Sequence, residues 1–178
     1  MSLLNQIVTK KKNKPLSMIL YGVHGIGKTS FPSEAENPIY IGNEENDEFD
    51  IARFPKVKTW DQFKDQLKAL LTEKHDYKTL VIDTMDSLEQ IAQYEVLKDQ
   101  KGKTMATAFG GYGKAYEKMH DMFLEIRDSF LAPLRDEKGM QIVILCHSEK
   151  SKFEDPILAL SYDTYSTALH KSIKHLIS

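Results

Sequence analysis

Cysteine is almost missing: Cys146 stands alone, which rules out an intrachain disulfide and argues against a cysteine-built zinc site. That usage suits a reducing cytoplasm, the expected location. Arginine is nearly as scarce, with Arg53, Arg127 and Arg135 against a large excess of lysine. Sites that clamp a transferred phosphate with several arginines are therefore poorly supplied, because lysine offers a point charge and not a planar fork. No apolar run approaches the roughly 18 residues that would span a bilayer, so no membrane partner is expected. Residues 1–14 lack the apolar stretch and cleavage site of a signal peptide. Charge of one sign is also lacking: the formal net charge is -2, so any nucleic-acid contact must come from a local patch.

What remains is ordinary for a globular chain, with 178 residues, 41% hydrophobic and 28% charged. That length fits one domain with a full core. The expected organisation is a mobile basic lead-in over 1–14, carrying Lys10, Lys11, Lys12 and Lys14, then one domain over 15–178.

Short apolar runs alternate with helical patterns. Strands are expected at Leu16–Tyr21, Pro38–Ile41, Thr79–Ile82 and Gln141–Cys146, with edge strands at Lys56–Lys58 and Ile157–Tyr162. Helices are expected at Trp60–Lys74, Ser87–Lys98, Lys114–Leu131 and Ser166–Ile177. Thr59 and Gln62 form a candidate capping box, and Pro133 is expected to help end the long helix. Asn43–Asp50, Asp99–Gly113 and Ser148–Pro156 read as loops. The alternation predicts an α/β, mostly parallel sheet with helices on both faces, its ligand site at the C-terminal ends of the strands.

The sharpest signal is Gly22-Val23-His24-Gly25-Ile26-Gly27-Lys28-Thr29, which fits G-x-x-x-x-G-K-[ST] after an apolar strand. The glycines allow backbone N–H groups to wrap phosphate, and the helix that follows, from about Lys28, adds a positive terminus. Lys28 would reach the β- and γ-phosphates of ATP, and Thr29 would place its hydroxyl on Mg²⁺. By composition, chance produces this pattern in about one chain of this length in a hundred. Ser30 continues the phosphate-binding segment, and His24 reads as a tolerated variable position.

Leu80-Val81-Ile82-Asp83 is an apolar strand ending in an acid, which would aim a carboxylate at the metal's water shell. Asp86 is the runner-up for that role. Thr84, not a glutamate, follows Asp83, so the water-orienting base is sought at the neighbouring strand end, in Glu44. The alternative there is an acidic surface loop with Glu45, Asp47 and Glu48. His147, at the tip of the Gln141–Cys146 strand, could sense the γ-phosphate if that strand lies between those of Gly22 and Asp83. Cys146 reads as core packing.

Tyr21–Ser30, Lys78–Thr84, Gly111–Lys114 and Ile144–Ser148 together resemble the phage-encoded RecA-like ATP-binding proteins, often labelled AAA-type, whose best-known members are linked to single-strand annealing and recombination. The resemblance spans about residues 15–165. It implies a three-layer, RecA-like P-loop core, ATP with Mg²⁺, and action on single-stranded DNA in the host cytoplasm. It also implies phage recombination proteins as partners and a ring or filament of copies. By position it carries Lys28 and Thr29 to phosphate, Asp83 to the metal, Glu44 to the water and His147 to the sensor.

Lys98, Lys101, Lys103, Lys114 and Lys118, interleaved with Phe109 and Tyr112, would suit a single strand, and a glycine-rich lid is the other reading. Lys150 and Lys152 could act on a neighbouring copy or lie in a solvated loop. Two further functions stay open: a nucleotide-gated module without hydrolysis, and a small-molecule kinase, which the few arginines disfavour.

Overall fold

The protein is described by a computed structural model covering residues 14–44, 50–154 and 161–177. The lead-in up to residue 13, the acidic residues Glu45, Asp47 and Glu48, and the Ile157–Leu160 portion of the expected edge strand lie outside the described residues.

β1 (Ser17–Gly22), β2 (Pro38–Gly42), β3 (Ala52–Arg53), β4 (Thr79–Asp83) and β5 (Gln141–Glu154) pair in parallel in the order β1-β5-β4-β2-β3. The apolar runs of β2, β4 and the first part of β5 form strands that alternate between two faces and bury both, while β1 is only partly covered. β6 (Ser161–Thr167) adds an antiparallel partner to the outer part of β5 and completes six strands. Ile39, Ile41, Leu80, Ile82, Ile142, Ile144 and Cys146 point to one face. There they meet α2 (Trp60–Thr72), α3 (Met85–Leu97), α4 (Lys114–Ile126), α5 (Ala132–Asp136) and α6 (Lys171–Ile177). Trp60 anchors this core, its ring 5.1 Å from Phe123 edge-on and 5.5 Å from Phe63. Tyr40, Val81, Val143 and Leu145 point to the other face, with Met18, Leu20 and Ile51 against them. On that side the Tyr40 hydroxyl donates to the Thr29 carbonyl at 3.1 Å, just ahead of the short helix α1 (Ser30–Ser33). The result is the expected α/β P-loop architecture.

Several boundaries differ from expectation for identifiable reasons. The edge strand pairs at Ala52–Arg53 and not at Lys56–Lys58, because Pro55 has no N–H to continue the ladder. Pro133 does not stop the long helix. The chain widens into a π turn over Arg127–Leu131, the Ala132 N–H reaches back to the Arg127 carbonyl, and Pro133 enters α5 at its start, where no donor is required. Ser148–Pro156 is not a loop up to Glu154: β5 runs on in a hairpin with β6, and Ser166 belongs to β6 while the final helix begins at Lys171. That hairpin is held by polar pairs, Lys150 to Asp163 at 2.7 Å and Ser151 to Thr164 at 2.7 Å, so it carries no apolar alternation. Half of the capping box forms: Thr59 Oγ1 accepts from the Gln62 N–H at 3.2 Å, while Gln62 Oε1 reaches past the cap and accepts from the Lys58 N–H at 2.9 Å. No helix among the described residues is long and apolar enough to cross a membrane.

One glycine decides how β2 ends beside β4. Gly42 has φ +154°, and a Cβ built on it would sit 1.8 Å from the Asp83 carbonyl oxygen. That same carbonyl accepts from the Asn43 N–H at 3.1 Å, so the chain folds directly over the end of β4. Gly42→Ala is expected to cost about 3 kcal/mol or more, because the obstruction is backbone. Gly102→Ala, with φ +68° but open space around it, should cost only about 1 kcal/mol. Urea unfolding of the two variants against the native chain measures the contrast.

Candidate functional site

β1 delivers the chain into a loop whose conformation only glycine adopts without strain: Gly25 has φ +77° and Gly27 has φ +93°. Nothing lies within 4 Å of a Cβ built on Gly25, so the mouth of the loop is open. Val23, His24, Gly25 and Ile26 are exposed around it, while Lys28 is buried. The Phe31 N–H closes the first helical turn on the Gly27 carbonyl at 3.2 Å, leaving the earlier N–H groups of the turn for a ligand.

The Lys28 ammonium folds back over the loop, donating to the Val23 carbonyl at 2.9 Å and to the Gly22 carbonyl at 3.1 Å. A buried cation beside open backbone donors is a phosphate cradle in charge and in shape. Thr29 Oγ1 donates to Asp83 Oδ2 at 3.0 Å, linking the loop to the end of β4. Burial pushes the Asp83 carboxyl above its ordinary range, Glu44 adds to this, and the Thr29 hydroxyl, Lys28 and Arg53 pull the other way. A hydroxyl and a buried carboxylate form a hard-oxygen set that suits Mg²⁺, whose charge would favour ionised Asp83. No cluster of three or more His, Cys, Asp or Glu side chains fit to hold a metal occurs among the described residues. A nucleotide metal does not require one, since phosphate and water complete its shell. Ser30 is exposed, and its carbonyl accepts from Ser33 Oγ at 2.8 Å.

Glu44 is half-buried at the end of β2, where it lines a small cleft with Asp83, Tyr40, Arg53 and Lys56. An Arg53 guanidinium N–H donates to the Glu44 carbonyl at 3.1 Å, which fixes the backbone from which the carboxylate extends. β5 lies between β1 and β4, with Gly22 paired to His147 and Asp83 paired to Leu145. The condition for a strand-tip sensor is therefore met. Asp86, instead of facing the metal side, turns to His147. Its carboxylate accepts from the His147 backbone N–H at 3.0 and 3.1 Å and lies 2.8 Å from Nδ1. Cys146 is buried, and burial with Asp86 and Glu89 nearby holds its thiol well above the usual range, which fits packing and not chemistry.

Lys28, Thr29, Asp83, Glu44 and His147 thus converge on one edge of the sheet. The chain belongs to the AAA domain family. The match covers residues 14–178. A comparison with curated proteins finds no match. As an AAA domain the chain is a P-loop nucleotide-binding domain, and the open loop mouth with Lys28 across it is where that family assignment and the geometry meet. Sequence reasoning missed three contacts of this AAA domain: Asp86 on His147, Tyr40 on Thr29 and Arg53 on Glu44. Tyr40 reads as one more apolar strand residue, and its hydroxyl, buried near Asp83, is held protonated as a donor.

The Asp83 shift has a stability consequence. The folded chain holds the Asp83 proton more tightly than the unfolded chain, whose value is near 3.8. Stability from this group is therefore fully present below that value and is lost as pH rises through the raised folded one. Asp83→Asn, which cannot ionise, should make the nucleotide-free domain more stable at neutral pH. The gain should shrink towards zero below about pH 3.8. Urea unfolding of both chains at the two pH values checks the sign.

Proposed function

We propose that this domain is a Mg²⁺-dependent ATPase acting on single-stranded DNA in phage recombination or replication. The observation that carries the ATPase half is the placement of Glu44 beside Asp83 while Thr29 binds the same Asp83 carboxylate. A metal held by Thr29 and Asp83 would then have a carboxylate next to it to orient water, and His147 would meet the phosphate from the adjacent strand. Lys28 would neutralise the β- and γ-phosphates, and Gly22 to Ser30 would wrap them. ATP hydrolysis is expected to fall by about a hundredfold or more in Glu44→Gln, with nucleotide binding kept. Lys28→Ala should lose both. Equal turnover in Glu44→Gln and the native chain would remove Glu44 from that role, and Mg²⁺-ATP binding with no turnover in the native chain would favour the nucleotide-gated module.

The DNA half rests on the resemblance to RecA-like phage proteins and on the loop between α3 and α4. Tyr112 there is 97% exposed, between Gly111 and Gly113, and all three have positive φ. A fully exposed aromatic on a left-handed backbone is a surface offered to something flat. Lys101, Lys103, Lys114 and Lys118 are exposed near it in sequence, and the Lys118 ammonium sits 4.8 Å from the Phe109 ring centre. Val23, Ile26 and Phe31 are exposed around the phosphate loop, an apolar rim that a second copy in a ring or filament would cover. Lys150 is tied to Asp163 within its own hairpin, which weakens the idea that it reaches a neighbour. Fluorescence anisotropy with an oligo-thymidine strand should show Tyr112→Ala binding about tenfold more weakly, with ATPase stimulation by DNA reduced in step. Unchanged DNA affinity in that variant would leave the ATPase and remove the DNA surface.

A further inference from the structure

We propose that Asp86 is the positioning residue that makes His147 a cationic reader of the terminal phosphate. The inference deepens the proposed function and rests on its assignment of His147 to the phosphate.

Asp86 stands in the first turn of α3 and His147 stands where β5 leaves the parallel sheet: Gly22 is its partner, and the next residue, Ser148, pairs with Thr167 of β6. A single carboxylate holds this junction twice, through the backbone N–H of His147 at 3.0 and 3.1 Å and through Nδ1 at 2.8 Å. The Asp86 side chain is 16% exposed and that of His147 is 36%, so the carboxylate is sheltered and the ring is reachable. A carboxylate only accepts, so Nδ1 carries the proton between them. In the neutral ring Nε2 is then a lone pair, which repels a phosphate oxygen. With Nδ1–H held by Asp86, only the doubly protonated ring can donate from Nε2. His147 therefore distinguishes a nucleoside triphosphate from a diphosphate by taking up a proton, and Asp86 is what forces that requirement. Titratable groups on the elements around it include Glu89 on α3, Asp83 at the end of β4, Lys28 and His24 on the phosphate loop, Tyr21 on β1, and Cys146 and Glu149 on β5. Glu89 is occupied by the His170 N–H at 3.0 Å, Lys28 by loop carbonyls, and Glu149 by Lys174 at 2.7 Å. The part of β6 that pairs nearest, Ser166 and Thr167, brings no charge.

The test is the ratio of affinities for the Mg²⁺ complexes of the non-hydrolysable imido analogue of ATP and of ADP, measured by calorimetry between about pH 6 and about pH 8.5. His147→Gln supplies the reference for the nucleotide's own titration. The native chain should prefer the triphosphate by about tenfold more than His147→Gln at the acid end, with the excess fading as pH rises. Asp86→Asn keeps size and shape. Its amide can accept from the backbone N–H and donate to Nδ1, leaving Nε2–H a neutral donor, so the preference that remains should no longer depend on pH. In the His147→Gln background Asp86→Asn should change nothing further. A native ratio and pH slope in Asp86→Asn, with His147→Gln impaired, would overturn the role of Asp86 and leave the sensor standing. Equal losses from Asp86→Asn in both backgrounds would make Asp86 merely structural and also overturn it. A native ratio in His147→Gln would remove the sensor itself and the proposal with it.

Discussion

A carboxylate is buried at the end of the central strand, and the site is arranged around satisfying it. Asp83 is taken out of water by the packing of β4 between β2 and β5, and one hydroxyl, from Thr29, reaches it. Burial makes such a charge costly, and a divalent cation sharing it would offset that cost. The Thr29 bond has a second effect: it ties the phosphate loop to a different strand from the one that precedes it, so the loop is held from two sides. Tyr40 adds a third hold on the Thr29 carbonyl from across the sheet. Gly42 belongs to the same constraint, since any side chain there would strike the Asp83 backbone and displace the chain that leads from β2 to Glu44.

The elements with two buried faces were the most legible from residues alone. Ile142 to Cys146, Leu80 to Ile82 and the glycines of the phosphate loop all read directly, because burial and left-handed backbone leave few choices of residue. The π turn, the continuation through Pro133 and the outer half of β5 were illegible for the opposite reason. A wide helical turn can be reached by many sequences, and a polar two-stranded ribbon has no apolar period to betray it. Lys150, Ser151 and Thr164 look like loop residues until they are seen pairing across a hairpin.

In the site, positions set by a local motif were legible in the sequence, and side-chain contacts between distant positions were not. Lys28 and Thr29 lie within one eight-residue pattern, and Asp83 ends a strand of recognisable type. Asp86 and His147 are 61 positions apart, and nothing local in either neighbourhood points to the other. Arg53 is similar: it sits on a two-residue strand whose pairing with β2 depends on where Pro55 interrupts the ladder. From the sequence, Asp86 reads as the runner-up to Asp83 for the metal. The start of α3 swings it instead towards the tip of β5.

β5 is a single strand of 14 residues, only the first part of which belongs to the parallel sheet. From His147 to Glu154 it projects about 23 Å past its last parallel partner, stiffened by β6 along its length. By lever geometry, a tilt of about 10° at His147 would carry the far end of a ribbon of that length through about 4 Å. Displacements too small to matter at the base of the strand become the size of an atom's diameter at its tip.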